Sequence, residues 1–176
     1  MIRITLKSKL LLDEAAKFDL PDTRIRISKK EHYDFIEIML VPDSMKLQDA
    51  GSILIIPCKD APGAGAWQVA SIKAPHGFGP VLYEFAMELV QLKGASGLTP
   101  DTNIVSPEAQ RVWLQFIERT KTKEGNIVSS PLPSTTDFFM PRPDGIKQVF
   151  RKRNPDLIRK LVAAGKVDDP QGILRT

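Results

Sequence analysis

The turn Gly77-Phe78-Gly79-Pro80 is followed closely by a phenol and a carboxylate, Tyr83 and Glu84. Glycines ahead of a helix let the backbone approach an anion with no Cβ in the way. The free N–H groups of the first helical turn, together with the helix dipole, then favour phosphate. The bare Gly-x-Gly pattern also serves as a simple tight connection. His76 suits a hydrogen bond to phosphate or a cap on the turn. Tyr83 is a candidate proton donor or an ordinary core or surface tyrosine. Glu84 is a candidate general base or, with Glu88, part of a solvated helix face. Tyr33 is the only other phenol in the chain.

Such a site needs a strand before the turn and a helix after it. Trp67–Lys73 reads as that strand. From Pro80 the apolar residues Val81, Leu82, Phe85, Ala86, Leu89 and Val90 mark one face of a helix, with Glu84, Glu88 and Gln91 turned away and Gly94 ending it. Pro80 suits the first turn, because the N–H it lacks would have had no intrahelical partner. A second helix opens at Ser106-Pro107, a hydroxyl cap followed by proline, with Ala109, Val112, Trp113, Phe116 and Ile117 on its apolar face. Upstream, Ile2–Leu6, Arg24–Ile27 and Tyr33–Val41 alternate as half-buried strands, and Ser52–Ile56 is a short apolar strand ended by Pro57. Leu10–Phe18 has the spacing of a short helix. Pro131–Gly145 carries four prolines and reads as an extended segment. Asn154-Pro155-Asp156 opens a last helix with Leu157, Ile158, Leu161 and Val162 packing and Gly165 stopping it.

At 176 residues, with 42% hydrophobic and 26% charged residues, the chain fits one globular domain. The expected layout is 1–128 as the main domain, 129–145 as a Pro-rich extended segment, and 146–176 as a basic helix and tail packed on it. The sequence has no apolar run long enough to span a membrane and no secretory pattern at its N-terminus, which points to the cytoplasm. Cys58 is the single cysteine and His32 and His76 the only histidines, which argues against a disulfide and against a Cys/His zinc site. The formal charge is +4. Between Arg142 and Lys166 eight basic residues face Asp144 and Asp156, a local net of 8 − 2 = +6. The segment is either a solvated helix face or a contact for a polyanion.

The two motifs together resemble the GNAT N-acetyltransferase superfamily. Its phosphate loop, Gln/Arg-x-x-Gly-x-Gly/Ala, falls on Ala74-Pro75-His76-Gly77-Phe78-Gly79, with both glycines matching and Ala74 in place of Gln/Arg. The family's Asn-x-x-Ala helix start, with an aromatic further on, falls on Ser106-Pro107-Glu108-Ala109 and Trp113, with the alanine and an aromatic matching and Ser106 in place of Asn. The stretches Gly77–Glu84 and Val105–Trp113 look most like a divergent group found in bacteriophages, and the resemblance covers residues 67–119.

The resemblance implies an α+β fold with a mixed, mainly antiparallel sheet that splays beside Trp67–Lys73 and is flanked by helices. It implies acetyl-CoA or another acyl-CoA as co-substrate. The pantetheine arm would pair with Ala70, Ser71, Ile72 and Lys73, and the diphosphate would lie on His76, Gly77, Phe78, Gly79 and Val81, with Ser106 near the arm. The implied reaction is direct attack of an amine on the thioester. The acceptor is a protein, a small molecule or a modified nucleic-acid base, and Arg142–Lys166 offers a polyanion contact. Tyr83 and Glu84 are the acid and base candidates, because Trp113 stands where the family carries its usual thiol-protonating tyrosine. The alternative is a non-catalytic protein of the same fold, a virion or host-interaction component, with an assembly partner holding the C-terminal tail.

Overall fold

The computed structural model describes residues 23–30, 32–42, 51–58, 65–74, 78–100, 105–132, 146 and 148–175. The expected elements at Ile2–Leu6 and Leu10–Phe18, and most of the Pro-rich segment, lie outside these residues.

Within them the chain forms a mixed sheet of eight strands with three helices. The strands are β1 (Thr23–Lys29), β2 (Ile36–Pro42), β3 (Ser52–Pro57), β4 (Ala66–Lys73), β5 (Gly97–Thr99), β6 (Ile127–Pro131), β7 (Gln148–Lys152) and β8 (Val167–Asp168). The helices are α1 (Gly79–Leu92), α2 (Pro107–Thr120) and α3 (Leu157–Ala163). The sheet order is β6-β7-β5-β4-β3-β2-β1-β8. Strands β1 to β4 form an antiparallel meander, and β5–β7 and β7–β6 are also antiparallel. Only β4–β5 and β1–β8 are parallel. The α+β class and the mainly antiparallel sheet match the expectation. Residues 146–175 do more than add a helix, because they supply β7 to one half of the sheet and β8 to its far edge.

Alternation sets the core face of the meander. Ile25, Ile27, Ile36, Ile38, Leu40, Ile53, Ile55 and Val69 are buried, while Arg24 and Arg26 point to solvent. Helix α1 lies against β2, β3, β4, β5, β7 and α3, and its residues from Val81 to Val90 are all buried. A helix enclosed on every side has no solvated face. This corrects the expectation for Glu84 and Glu88, which are 0% and 2% exposed. Val162, expected to pack, is half exposed instead.

The helix ends follow the capping residues. The Ser106 hydroxyl accepts from the Ala109 N–H at 3.1 Å and starts α2. Gly94 (φ 75°) closes α1: its N–H reaches the Gln91 carbonyl, and that of Ala95 reaches Val90. Gly165 (φ 68°) closes α3 with the same pair of bonds, to Val162 and, through Lys166, to Leu161.

The tail is fastened by the chain itself. Asp168 pairs with Arg26 at 2.9 Å, and the Gln171 amide accepts from the Lys29 N–H at 2.5 Å. Lys93 Nζ donates to the Ile173 carbonyl at 3.0 Å. Together with β8 these contacts cover the edge of β1, an edge that otherwise invites pairing with another chain.

Candidate functional site

The parallel pair β4–β5 is where the sheet opens. The two strands pair only at Ala66↔Gly97, Trp67↔Leu98 and Gln68↔Thr99. Beyond Gln68, no strand among the described residues pairs with the second half of β4 on that side. Its β3 side stays paired, with one irregularity: Leu54 faces Ser71 and Ile55 faces Val69, so Ala70 is an extra residue. Such a bulge kinks the strand and turns its backbone groups away from the ladder. The sequence-derived residues Ala70, Ser71, Ile72 and Lys73 therefore form one contiguous half-strand whose flank toward β5 has no strand partner among the described residues, and Ser71 and Lys73 are exposed.

At the end of β4 the chain enters α1. His76 and Gly77 lie outside the described residues. Phe78 occupies the N-cap position (φ −94°, ψ −12°) with no side-chain cap, and no acidic residue sits in the first turn. The N–H groups of Gly79 and Val81 therefore have no intrahelical partner, and no carboxylate of the first turn offsets the positive end of the helix dipole. A side chain begun at Gly79 would meet the Ala74 Cβ at 3.9 Å, so the end of β4 lies against the start of the helix. Ser106 stands at the start of α2, where its oxygen already serves as the cap.

Tyr83 sits in an aromatic cluster joining α1, α2 and β7. Its ring meets that of Trp113 edge-on at 5.0 Å and that of Phe116 at 5.9 Å. Trp113 in turn lies 5.2 Å from Phe150. Tyr83 is 1% exposed and its hydroxyl has no hydrogen-bond partner among the described residues. Burial pushes the phenol well above its ordinary range, so it stays neutral at physiological pH. A phenol in that state donates a hydrogen bond well and gives up a proton badly.

Glu84, the next residue, enters a buried ion network that pattern reading missed. Its carboxylate bonds Lys152 Nζ at 2.5 Å and the Arg119 guanidinium. Lys152, 6% exposed, also lies 3.7 Å from Glu88. Glu88 accepts the N–H groups of Asp156 (3.1 Å), Leu157 (3.0 Å) and Ile158 (2.9 Å), capping α3 from another helix. Burial raises the Glu88 carboxyl above the usual range, and the three N–H bonds and Lys152 pull it back in part. Gln91 completes the stripe, donating to the Lys152 carbonyl at 3.0 Å and accepting from its N–H at 2.8 Å. Because β5 pairs with β7 only at Leu98↔Phe150, this amide takes the place a further strand residue would fill.

The basic segment divides in the structure. Lys152 is buried in the network, Lys160 pairs with Asp156 at 2.6 Å, and Arg151, Arg153 and Arg159 are exposed. No cluster of His, Cys, Asp or Glu among the described residues could hold a metal ion, and no helix among them is long and apolar enough to cross a membrane. No family model, curated protein or solved structure matches this chain.

Proposed function

We propose that the chain is an acyl-CoA-dependent N-acyltransferase of the GNAT kind, passing an acetyl or other acyl group to an amine. The observation that carries this reading is the open flank of β4 running directly into the uncapped start of α1. A parallel pair that parts at its carboxyl ends, each strand followed by a helix, is the place where open α/β sheets form their ligand crevices, and β4–β5 reproduces that local arrangement in a mainly antiparallel sheet. The flank offers main-chain donors and acceptors spaced as in a strand, which suits the two amides of a pantetheine arm. The N–H groups of Gly79 and Val81 suit a diphosphate. The residues present thus fit the co-substrate.

The chemistry asks little of the side chains. The thiol leaving group has an ordinary pKa near that of cysteine, roughly 8.5, so it departs as a thiolate without a strong acid. This accommodates Trp113, whose indole cannot supply a proton at neutral pH. Glu84 is engaged by two cations, so the proton released by the amine passes to solvent. The bacteriophage likeness, a host-cytoplasmic or virion location, and a polyanionic acceptor near Arg142–Lys166 belong to the same proposal.

Calorimetric titration with acetyl-CoA tests it, comparing the wild type with Gly79→Glu. A carboxylate in the first turn complements the helix dipole and leaves the fold at least as stable. It also sets a negative charge where the diphosphate would lie. The expected result is saturable binding by the wild type and none by the variant. Equal binding by both would refute the placement.

One observation favours a second reading. With Glu84 engaged in the network, an indole at position 113 and Tyr83 kept neutral by burial, no described side chain at the proposed reaction centre is placed to take the proton of the amine. A protein that keeps the cradle and has lost the chemistry would bind CoA and release no thiol from acetyl-CoA in the presence of amines.

A further inference from the structure

The Tyr83 hydroxyl is an anomaly. A buried hydroxyl without a partner is destabilising, and folded proteins seldom leave one. Phenylalanine would fill the same space among Trp113 and Phe116 without that cost. The position of the ring is informative. Tyr83 lies on the helix that follows β4, one turn from its start, and packs on Trp113 of the helix that follows β5. The phenol therefore sits between α1 and α2, the two helices that follow the parting parallel strands.

Resting on the acyltransferase reading, we infer that Tyr83 is a neutral hydrogen-bond donor to the acyl carbonyl oxygen of the thioester, acting on the oxyanion rather than as an acid. In the step it serves, the amine nitrogen attacks the carbonyl carbon and forms the C–N bond. The C=O π pair moves onto oxygen, where the Tyr83 hydroxyl stabilises the developing charge. The tetrahedral species collapses, the C–S bond breaks, and the thiolate leaves with the bonding pair. The surplus proton on nitrogen goes to solvent, and Tyr83 begins and ends protonated. A donor aimed at charge that develops only in the transition state typically accounts for a 100-fold or larger effect on rate.

The experiment is isotope-edited infrared spectroscopy of acetyl-CoA labelled at the carbonyl carbon, bound to the wild type and to Tyr83→Phe. Calorimetric affinity, melting temperature and thiol release to hydroxylamine are measured alongside. In the wild type the bound carbonyl band should lie below its position in the variant. The variant should bind acetyl-CoA equally well, melt at the same temperature or higher, and release thiol about 100-fold more slowly. An identical band position and equal thiol release in both proteins would overturn the inference. So would a variant that loses affinity and melting temperature together, which would mark Tyr83 as a packing residue. If the wild type binds no acetyl-CoA at all, the acyltransferase reading fails first.

Discussion

Replacing Lys152 by methionine removes the cation shared by Glu84 and Glu88 and keeps most of the side-chain volume. The ammonium is 2.5 Å from Glu84 and 3.7 Å from Glu88, and the two carboxylates are almost fully enclosed. Glu84 retains Arg119, and Glu88 retains its three backbone donors. The loss therefore falls on two like charges one helical turn apart with a single cation left. Removing one partner of a buried pair costs roughly 3–5 kcal/mol, and the remaining donors put this case near the lower end, about 3 kcal/mol at neutral pH. The pH dependence has a definite sign. The Glu88 carboxyl is already raised, and the loss of Lys152 raises it further. A raised acid contributes stability that is fully present below its unfolded value and is lost as pH rises through its folded value. The deficit of Lys152→Met should accordingly shrink as pH falls from neutral toward the ordinary carboxylate range. Urea denaturation at several pH values, read as midpoint and slope, measures it. A variant as stable as the wild type at neutral pH, or a deficit that does not shrink in acid, would refute the reasoning.

Three further outcomes are expected. Glu88→Gln removes the group whose ionisation is opposed by burial, so the stability of the wild type relative to this variant should fall as pH rises from the ordinary carboxylate value through the raised one. A difference that grows with pH would contradict that, and urea titrations of both proteins decide it. Gly97→Ala should cost about 3 kcal/mol, the upper end of overpacking, because φ is 147° and the added Cβ would lie 2.4 Å from the Phe150 carbonyl oxygen; thermal melting reads this loss. Ser106→Ala should cost about 1 kcal/mol through the lost N-cap, and Ser106→Asp should restore most of it in the same assay.

Much of the scaffold was legible in the residues. Alternation placed β1 and β2, and an apolar run ended by Pro57 placed β3; Pro80, Gly94 and Gly165 marked helix ends through their backbone preferences and Ser106 through its hydroxyl. The strands β5, β6, β7 and β8 were not legible. Two or three residues, as in β5 and β8, cannot display a period. In β7 the alternation of Phe150, Arg151 and Lys152 is obscured because one inward residue is a lysine. The largest miss, the polar stripe Glu84-Glu88-Gln91, has the same origin. A binary pattern assigns charged residues to solvent, whereas these are enclosed by Arg119, Lys152 and the start of α3, which lie 35 to 70 positions away in sequence. No local signal predicts such partners. The only hint was that Glu84 and Glu88, one turn apart, lie in a chain that also carries a run of basic residues. For the site, the strand-turn-helix order and the two helix starts were readable, while the bulge at Ala70 and the three-residue limit of β4–β5 pairing depend on tertiary contacts.

The central claim is that the flank of β4 and the start of α1 together receive an acyl-CoA. Backbone amide spectra of the isotopically labelled protein, recorded as CoA is added, test it most directly. The account predicts saturable shifts concentrated at Ala70–Lys73 and at Phe78–Val81, with little change in β1, β2 and α3. Absence of shifts at saturating CoA, or shifts confined to other elements, would contradict it.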